Sequence, residues 1–338
     1  MRSASKTLVT MILCAAFAIS TVAASAATLN GSGASFPFPY YTKTFAEFKD
    51  RTGIQVNYQA TGSGAGIDAI TKKTVDFAGS DAALSDAKVK DLPGKLFQIP
   101  TCGGAVAVVY NVPGASRDLK LSASSVAGIF LGQIKRWNDP KLVAENAELR
   151  SKNLPITVCH RSDGSGTTDI FTTYLSAVSP TWKSKVGKGT AVKWPTGKGG
   201  AKNAGVAALV KQIPGAIGYV ELAYAKQNGI ATARIKNRSG YYIKPSLPST
   251  SACIEGALSA LKNDLRADIV NSSGRDAYPI VGLTFIFVYE NSVQPAELKR
   301  LLGWLMSDES MAIAKGLEYA PLPNSVRAIC KDMIAKLK

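Results

Sequence analysis

The run Arg161-Ser162-Asp163-Gly164-Ser165-Gly166-Thr167 follows an apolar stretch and precedes a helical one, an arrangement suited to holding an anion. Small residues let backbone N–H groups approach a ligand closely, and the start of a helix carries partial positive charge. The hydroxyls of Ser165 and Thr167 add donors. Arg161 adds a full charge, and its guanidinium can grip two oxygens of a tetrahedral anion at once. Asp163 is close enough in sequence to buttress Arg161 through an ion pair. Two more strand–glycine/serine–helix turns lie upstream, at 31–36 and 62–66. Three such loops in one chain point to an oxyanion held by several helix N-termini.

Asp81 narrows the choice of anion. It follows Gly79-Ser80 at an expected strand end, where ligand groups gather. A carboxylate beside a bound anion is repulsive unless the ligand brings a proton to donate. Near neutral pH phosphate keeps one or two protons and sulfate none. An unpaired buried polar group costs about 1–3 kcal/mol, more when charged, so a single carboxylate can discriminate strongly. The competing reading of Asp81, a turn or helix cap ahead of Ala82-Ala83-Leu84, needs no ligand.

The elements that must position these residues alternate as strand and helix. A strand at 28–30 leads into Gly31-Ser32-Gly33-Ala34-Ser35-Phe36, and a helix follows with Tyr41, Phe45 and Phe48 on one face and Gly53 at its end. Ile54, Val56 and Tyr58 alternate with polar residues as in a strand, and a helix through Ile67 and Ile70 precedes a strand at 75–81. This βαβ rhythm implies a mostly parallel sheet with ligands at the carboxyl ends of its strands. The apolar run 103–112 is a candidate crossing to a second lobe, and the Pro/Ser/Thr-rich stretch 244–251 a second one. Further helices are expected around 122–131 and an apolar strand at 284–289.

Residues 1–26 have the make-up of an export leader: Arg2 and Lys6, an apolar core at 8–19, and Ala24-Ser25-Ala26 as a cleavage signal. No stretch is long enough for a membrane span. The remainder exceeds what one core usually serves, so two lobes are expected. The chain has 40 basic and 24 acidic residues, a net charge of +16. Its lysines are scattered, with no basic run interleaved with aromatics, so nucleic acid is not an expected partner. After the leader come Cys102, Cys159, Cys253 and Cys330, which could form two disulfides in an oxidising compartment. The favoured pair is Cys253–Cys330, from two helical segments late in the chain. No CxxC or CxxH spacing marks a metal or redox site.

Chemistry on the bound anion has little support. His160 is the single histidine, which excludes any histidine pair or multi-histidine zinc site. No Gly-x-Ser-x-Gly elbow is present, and Gly197-Lys198-Gly199-Gly200 lacks the spacing of a nucleotide loop. His160 is expected to pack beside Arg161 rather than to catalyse. No cofactor motif is found.

Taken together, Gly31-Ser-Gly-Ala-Ser-Phe-Pro37, Gly62-Ser-Gly-Ala-Gly66, Val75-Asp-Phe-Ala-Gly-Ser-Asp81, Arg161-Ser-Asp-Gly-Ser-Gly-Thr167, Val192-Lys-Trp-Pro195 and Pro214-Gly-Ala-Ile-Gly-Tyr-Val-Glu221 resemble the phosphate-binding proteins of bacterial ABC phosphate importers. The resemblance spans nearly all of the chain after the leader. It implies an α/β, two-lobed periplasmic binding protein of type II, each lobe a mixed, mainly parallel sheet flanked by helices, with two hinge crossings. The expected lobes are 27–106 with 248–338, and 107–247. The resemblance implies Ser35, Phe36, Ser63, Asp81, Arg161, Ser165, Gly166 and Thr167 as phosphate ligands, with Asp163 behind Arg161. Ser35 stands where threonine is frequent. It also implies a monomer that closes on phosphate in the periplasm and serves a membrane permease, with no catalysis. The alternatives are a binder of another oxyanion, sulfate or molybdate, and a phosphatase. The four cysteines and the basic balance are not part of the pattern.

Overall fold

Strand β1 (Thr28–Gly33) lies between β2 (Gln55–Gln59) and β3 (Phe77–Ser80) and runs parallel to both in a computed structural model that describes residues 27–338. The helices Phe38–Thr52 and Ser63–Thr71 make the connections. The first buries Tyr41, Phe45 and Phe48, as their spacing predicts, and ends at Gly53, whose left-handed φ of 74° returns its N–H to the Lys49 carbonyl. The expected export leader, residues 1–26, lies outside the described residues. Among the described residues, no helix is long and apolar enough to cross a membrane.

Strand β4 (Leu96–Tyr110) is buried along all 15 residues and joins the two halves of the molecule. Up to Ala105 it pairs antiparallel with β12 (Val281–Tyr289), and from Val106 onward with β8 (Ala216–Glu221) and β9 (Ala231–Thr232). β6 (Thr157–Arg161) lies parallel to β8 and to β7 (Lys198–Gly200). The result is one nine-stranded sheet in the order β2-β1-β3-β12-β4-β8-β6-β7, with β9 beside β4. A small separate sheet contains β5 (Lys120–Leu121), β10 (Arg234–Lys236) and β11 (Tyr242–Ile243).

The pairing is parallel toward both ends of the large sheet and antiparallel at its centre, around β12, β4 and β8. Burial on both faces turns β4 and β12 into continuous apolar runs, and such runs reveal a strand but not its direction. Direction depends on where the chain re-enters the sheet. Of the stretch 244–251, the residues from Leu247 onward form the helix Leu247–Gly256, opened by a reciprocal cap between Ser246 and Ser249.

The expected Cys253–Cys330 disulfide is not formed. Cys102, Cys159, Cys253 and Cys330 are free and buried. Cys253 Sγ lies 3.0 Å from Ser272 Oγ and 3.3 Å from the Ile269 carbonyl, while Cys330 Sγ faces the Pro100 carbonyl at 3.9 Å. Both cysteines lie on helices, as predicted, but they pack against different segments as small apolar side chains. Burial pushes all four thiols up, Cys159 to about 11 and Cys330 to about 12.

Candidate functional site

Each expected ligand group lies at or just beyond the carboxyl end of a strand. Ser35 and Phe36 follow β1, Ser63 opens the helix after β2, Asp81 follows β3, and Arg161 ends β6. Ser165 caps the helix Gly166–Val178, its Oγ accepting the Thr168 N–H at 3.1 Å. All of them are buried, Asp81 to 5% and Arg161 to 4% exposure. Carbonyl and N–H groups at strand ends are freed from the ladder, and the helix starts that follow supply N–H donors.

The two halves meet at this point. Ser63 Oγ accepts from Gly166 N at 3.0 Å and from Asp81 N at 3.3 Å, so one hydroxyl ties together both sides of the cleft. Gly64 N donates to the Gly164 carbonyl at 3.0 Å. The approach requires glycine: a Cβ on Gly166 would lie 2.5 Å from Asp81 Cβ and 2.7 Å from its Oδ2. The structure therefore brings the Arg161–Thr167 turn and the Ser63 and Asp81 loops into direct contact. It joins Ser35 to them through Asn203, whose Nδ2 lies 3.1 Å from both Ser35 Oγ and Thr167 Oγ1. Phe36, next to Ser35, has its carbonyl held by Tyr319 Oη at 2.7 Å.

Arg161 is held in place by Asp163. Its Nε and Nη2 bond Asp163 Oδ1 and Oδ2 at 2.8 and 2.5 Å, a bidentate fork, and Nη1 points to Thr167 Oγ1 at 3.4 Å. Burial pushes the Asp163 carboxyl up, but the Arg161 guanidinium outweighs it and holds the group below the usual range, helped by the Lys202 N–H at 2.9 Å. Asp163 is thus an ionised partner of Arg161, in the buttressing position expected.

Asp81 is held differently. Its Oδ1 accepts the Thr284 hydroxyl at 2.7 Å. Burial pushes its pKa up to about 7, against the Thr284 hydrogen bond and the Arg161 charge, while Asp169 adds to the rise. The carboxyl therefore exchanges its proton near neutrality. A cleft of about 390 Å³ reaches Asp81 from the side between Lys88, Lys188, Asp169 and Asp268, and does not touch Arg161. Burial likewise raises Asp169 to about 6.

Three contributors escaped the sequence reading. Thr284 is the one threonine within the apolar strand β12, which has no serine, and that contrast was its only signal. Asn203 belongs to a fourth strand–glycine–helix unit, β7 followed by the helix Lys202–Gln212, which the sequence reading had weighed only as a nucleotide loop. Tyr219 lies under Arg161, its hydroxyl accepting the Arg161 N–H at 3.1 Å. His160 stacks on Trp194 with ring centroids 4.8 Å apart and planes 11° apart, the packing role expected of it. Among the described residues, no group of His, Cys, Asp and Glu could hold a metal ion.

A family profile described as a PBP superfamily domain matches residues 18–309. The phosphate-binding protein PstS of Haemophilus influenzae is 42% identical over 313 residues, covering 91% of this chain and 93% of that protein. The chain belongs to the PstS phosphate-binding protein family. PstS of Pasteurella multocida is 40% identical over 320 residues, covering 94% of this chain and 92% of its own. A solved periplasmic phosphate-binding protein, PfluDING with phosphate bound, matches with a TM-score of 0.71 over 90% of this chain and 93% of that one. At 23% identity it speaks for the fold, and the fold of the PstS family is the two-lobed α/β arrangement described above.

Proposed function

We propose that this protein binds inorganic phosphate between its two lobes and delivers it to an ABC importer in the periplasm, with no chemistry on the anion. Membership of the PstS family supports this reading. The observation that carries it is Asp81: a buried carboxylate, its Oδ1 accepting the Thr284 hydroxyl, lies against Ser63 and Gly166, two of the expected donors to the anion. Of the acids around it, Asp163 is spent on Arg161 and Glu221 on the Tyr319 hydroxyl and the Ala223 N–H. A donor set alone would accept any tetrahedral oxyanion. Asp81, as an acceptor among those donors, selects an anion that still carries a proton.

In this reading the ligands are Ser35, Phe36, Ser63 and Asp81 from one lobe and Arg161, Ser165, Gly166 and Thr167 from the other. The lobes are 27–106 with 248–338, and 107–247, with β4 as one crossing. The contacts Ser63–Gly166 and Gly64–Gly164 join the lobes, and phosphate held by ligands from both lobes at once favours that closed state further. The closed surface of a monomer is what a membrane permease recognises, and the export leader brings the chain to the periplasm. Titration calorimetry with phosphate and with sulfate tests the reading. Tight phosphate binding with no sulfate heat is expected, and equal affinities overturn it. Scattering data must also show compaction on adding phosphate.

A further inference from the structure

Hydroxyl groups can donate or accept, so a serine or threonine in an anion site is useful only if its proton faces the anion. Ser35 Oγ accepts two N–H groups, from Asn203 N at 3.3 Å and Asn203 Nδ2 at 3.1 Å. Thr167 Oγ1 accepts from the same Nδ2 at 3.1 Å and from Arg161 Nη1 at 3.4 Å. A hydroxyl has two lone pairs and one proton. With both lone pairs taken, each proton has only the anion side left to serve.

The orientation of the Asn203 amide follows from its third partner. Asn203 Oδ1 accepts the Glu221 backbone N–H at 2.9 Å, and a backbone N–H can only donate. Nδ2 must therefore be the atom between the two hydroxyls. Asn203 has no exposed surface, and Lys202 beside it takes a left-handed φ of 62° while its N–H bonds Asp163. The residue that positions Ser35 thus shares a turn with the residue that steadies the partner of Arg161.

We propose that Asn203 is a positioning residue that fixes the hydrogen-bond polarity of Ser35 and Thr167, one from each side of the cleft, so that both present protons to the anion. The inference rests on the phosphate-binding reading above. It makes the Ser35 and Thr167 walls donor-only, which sharpens the contrast with Asp81 as the acceptor. It also assigns Asn203 a part in closure, since one amide nitrogen spans both sides.

A double-mutant cycle tests this by phosphate calorimetry on the full chain: wild type, N203A, S35A/T167V, and the triple variant. N203A is expected to weaken phosphate binding about tenfold or more, by the loss of oriented hydrogen bonds. In the S35A/T167V background the same change is expected to cost under about twofold, because no hydroxyls remain to orient. Equal fold losses in both backgrounds overturn the proposal and leave Asn203 a packing residue. N203D keeps the shape but reverses the polarity, and is expected to bind more weakly than N203A. An N203D protein that binds like wild type overturns the proposal even if N203A does not fold. A wild-type protein that binds no phosphate at all would instead sink the functional reading itself.

Discussion

The Thr284 hydroxyl donates to Asp81 Oδ1 at 2.7 Å, fixing one carboxylate oxygen from behind while the other lies toward Gly166. The pairing of β12 with β4 shifts register between Thr284 and Phe285. Such irregularities re-aim a side chain, and here the re-aimed residue meets the carboxylate that follows β3. Thr284 is in turn held: its carbonyl accepts from Thr101 Oγ1 at 3.3 Å, and Thr101 pairs with the Tyr41 hydroxyl at 2.9 Å. The acceptor is anchored to the core.

Removing that donor should weaken the acceptor. Thr284→Val keeps the branched shape and deletes one hydrogen bond to an ionised group, worth about 1.5–3 kcal/mol. Phosphate affinity at pH 7.5 is expected to fall about 10- to 100-fold, and Thr284→Ser to recover most of it. Calorimetry on the two variants decides the matter. Unchanged affinity in Thr284→Val would show that Asp81 needs no second partner.

Asp81 also gives the protein an unusual pH dependence. Burial raises its folded-state pKa from 3.8 to about 7, and raises Asp169 to about 6. The folded form then holds protons that the unfolded chain has released, so these two groups stabilise the fold below about pH 4 and lose that contribution as pH rises to about 7. Asp118 and Asp264, which arginines hold below the ordinary range, act only at lower pH. In phosphate-free buffer the melting temperature is expected to fall between pH 5 and 8, and Asp81→Asn to flatten the slope. A melting temperature that climbs across this range contradicts the assignment.

Much of this site could be read from the chain because its parts are local. Gly, Ser and Thr at the end of an apolar run followed by helical spacing state a geometry by themselves, as at 161–167 and 62–66. The βαβ order of the first 50 described residues was equally plain. What could not be read were contacts between distant segments. Thr284 reaches Asp81 across 203 positions and Asn203 reaches Ser35 across 168, so no spacing rule connects them. The cysteine pairing failed for the same reason: two cysteines on helices say nothing of which core segment each helix covers.

The four cysteines yield a direct measurement. Buried thiols with raised pKa values react slowly in the native state. Without reductant, alkylation of the native protein is expected to label none of Cys102, Cys159, Cys253 and Cys330. In denaturant it should label all four, as read by intact mass. Two labels in place of four would mean that one disulfide forms after all.

Charge and geometry can be separated at Arg161. Arg161→Lys keeps the cation but loses the bidentate grip on Asp163, whose Nε and Nη2 contacts hold the guanidinium in place. A lysine is a flexible point charge and cannot reproduce the fork. Phosphate affinity is expected to fall about 100-fold or more, since a charge-assisted pair in a dry site is lost together with its orientation. Lys188 supplies the contrast. Its ion pair does cross the cleft, to Asp268 at 2.9 Å, but the two side chains are 52% and 60% exposed. An ion pair in water is worth about 0–1 kcal/mol, so Lys188→Ala should change affinity by under about fivefold and lose even that effect in high salt. If both variants cost the same, net charge rather than the oriented fork attracts the anion, and the site works by a general field.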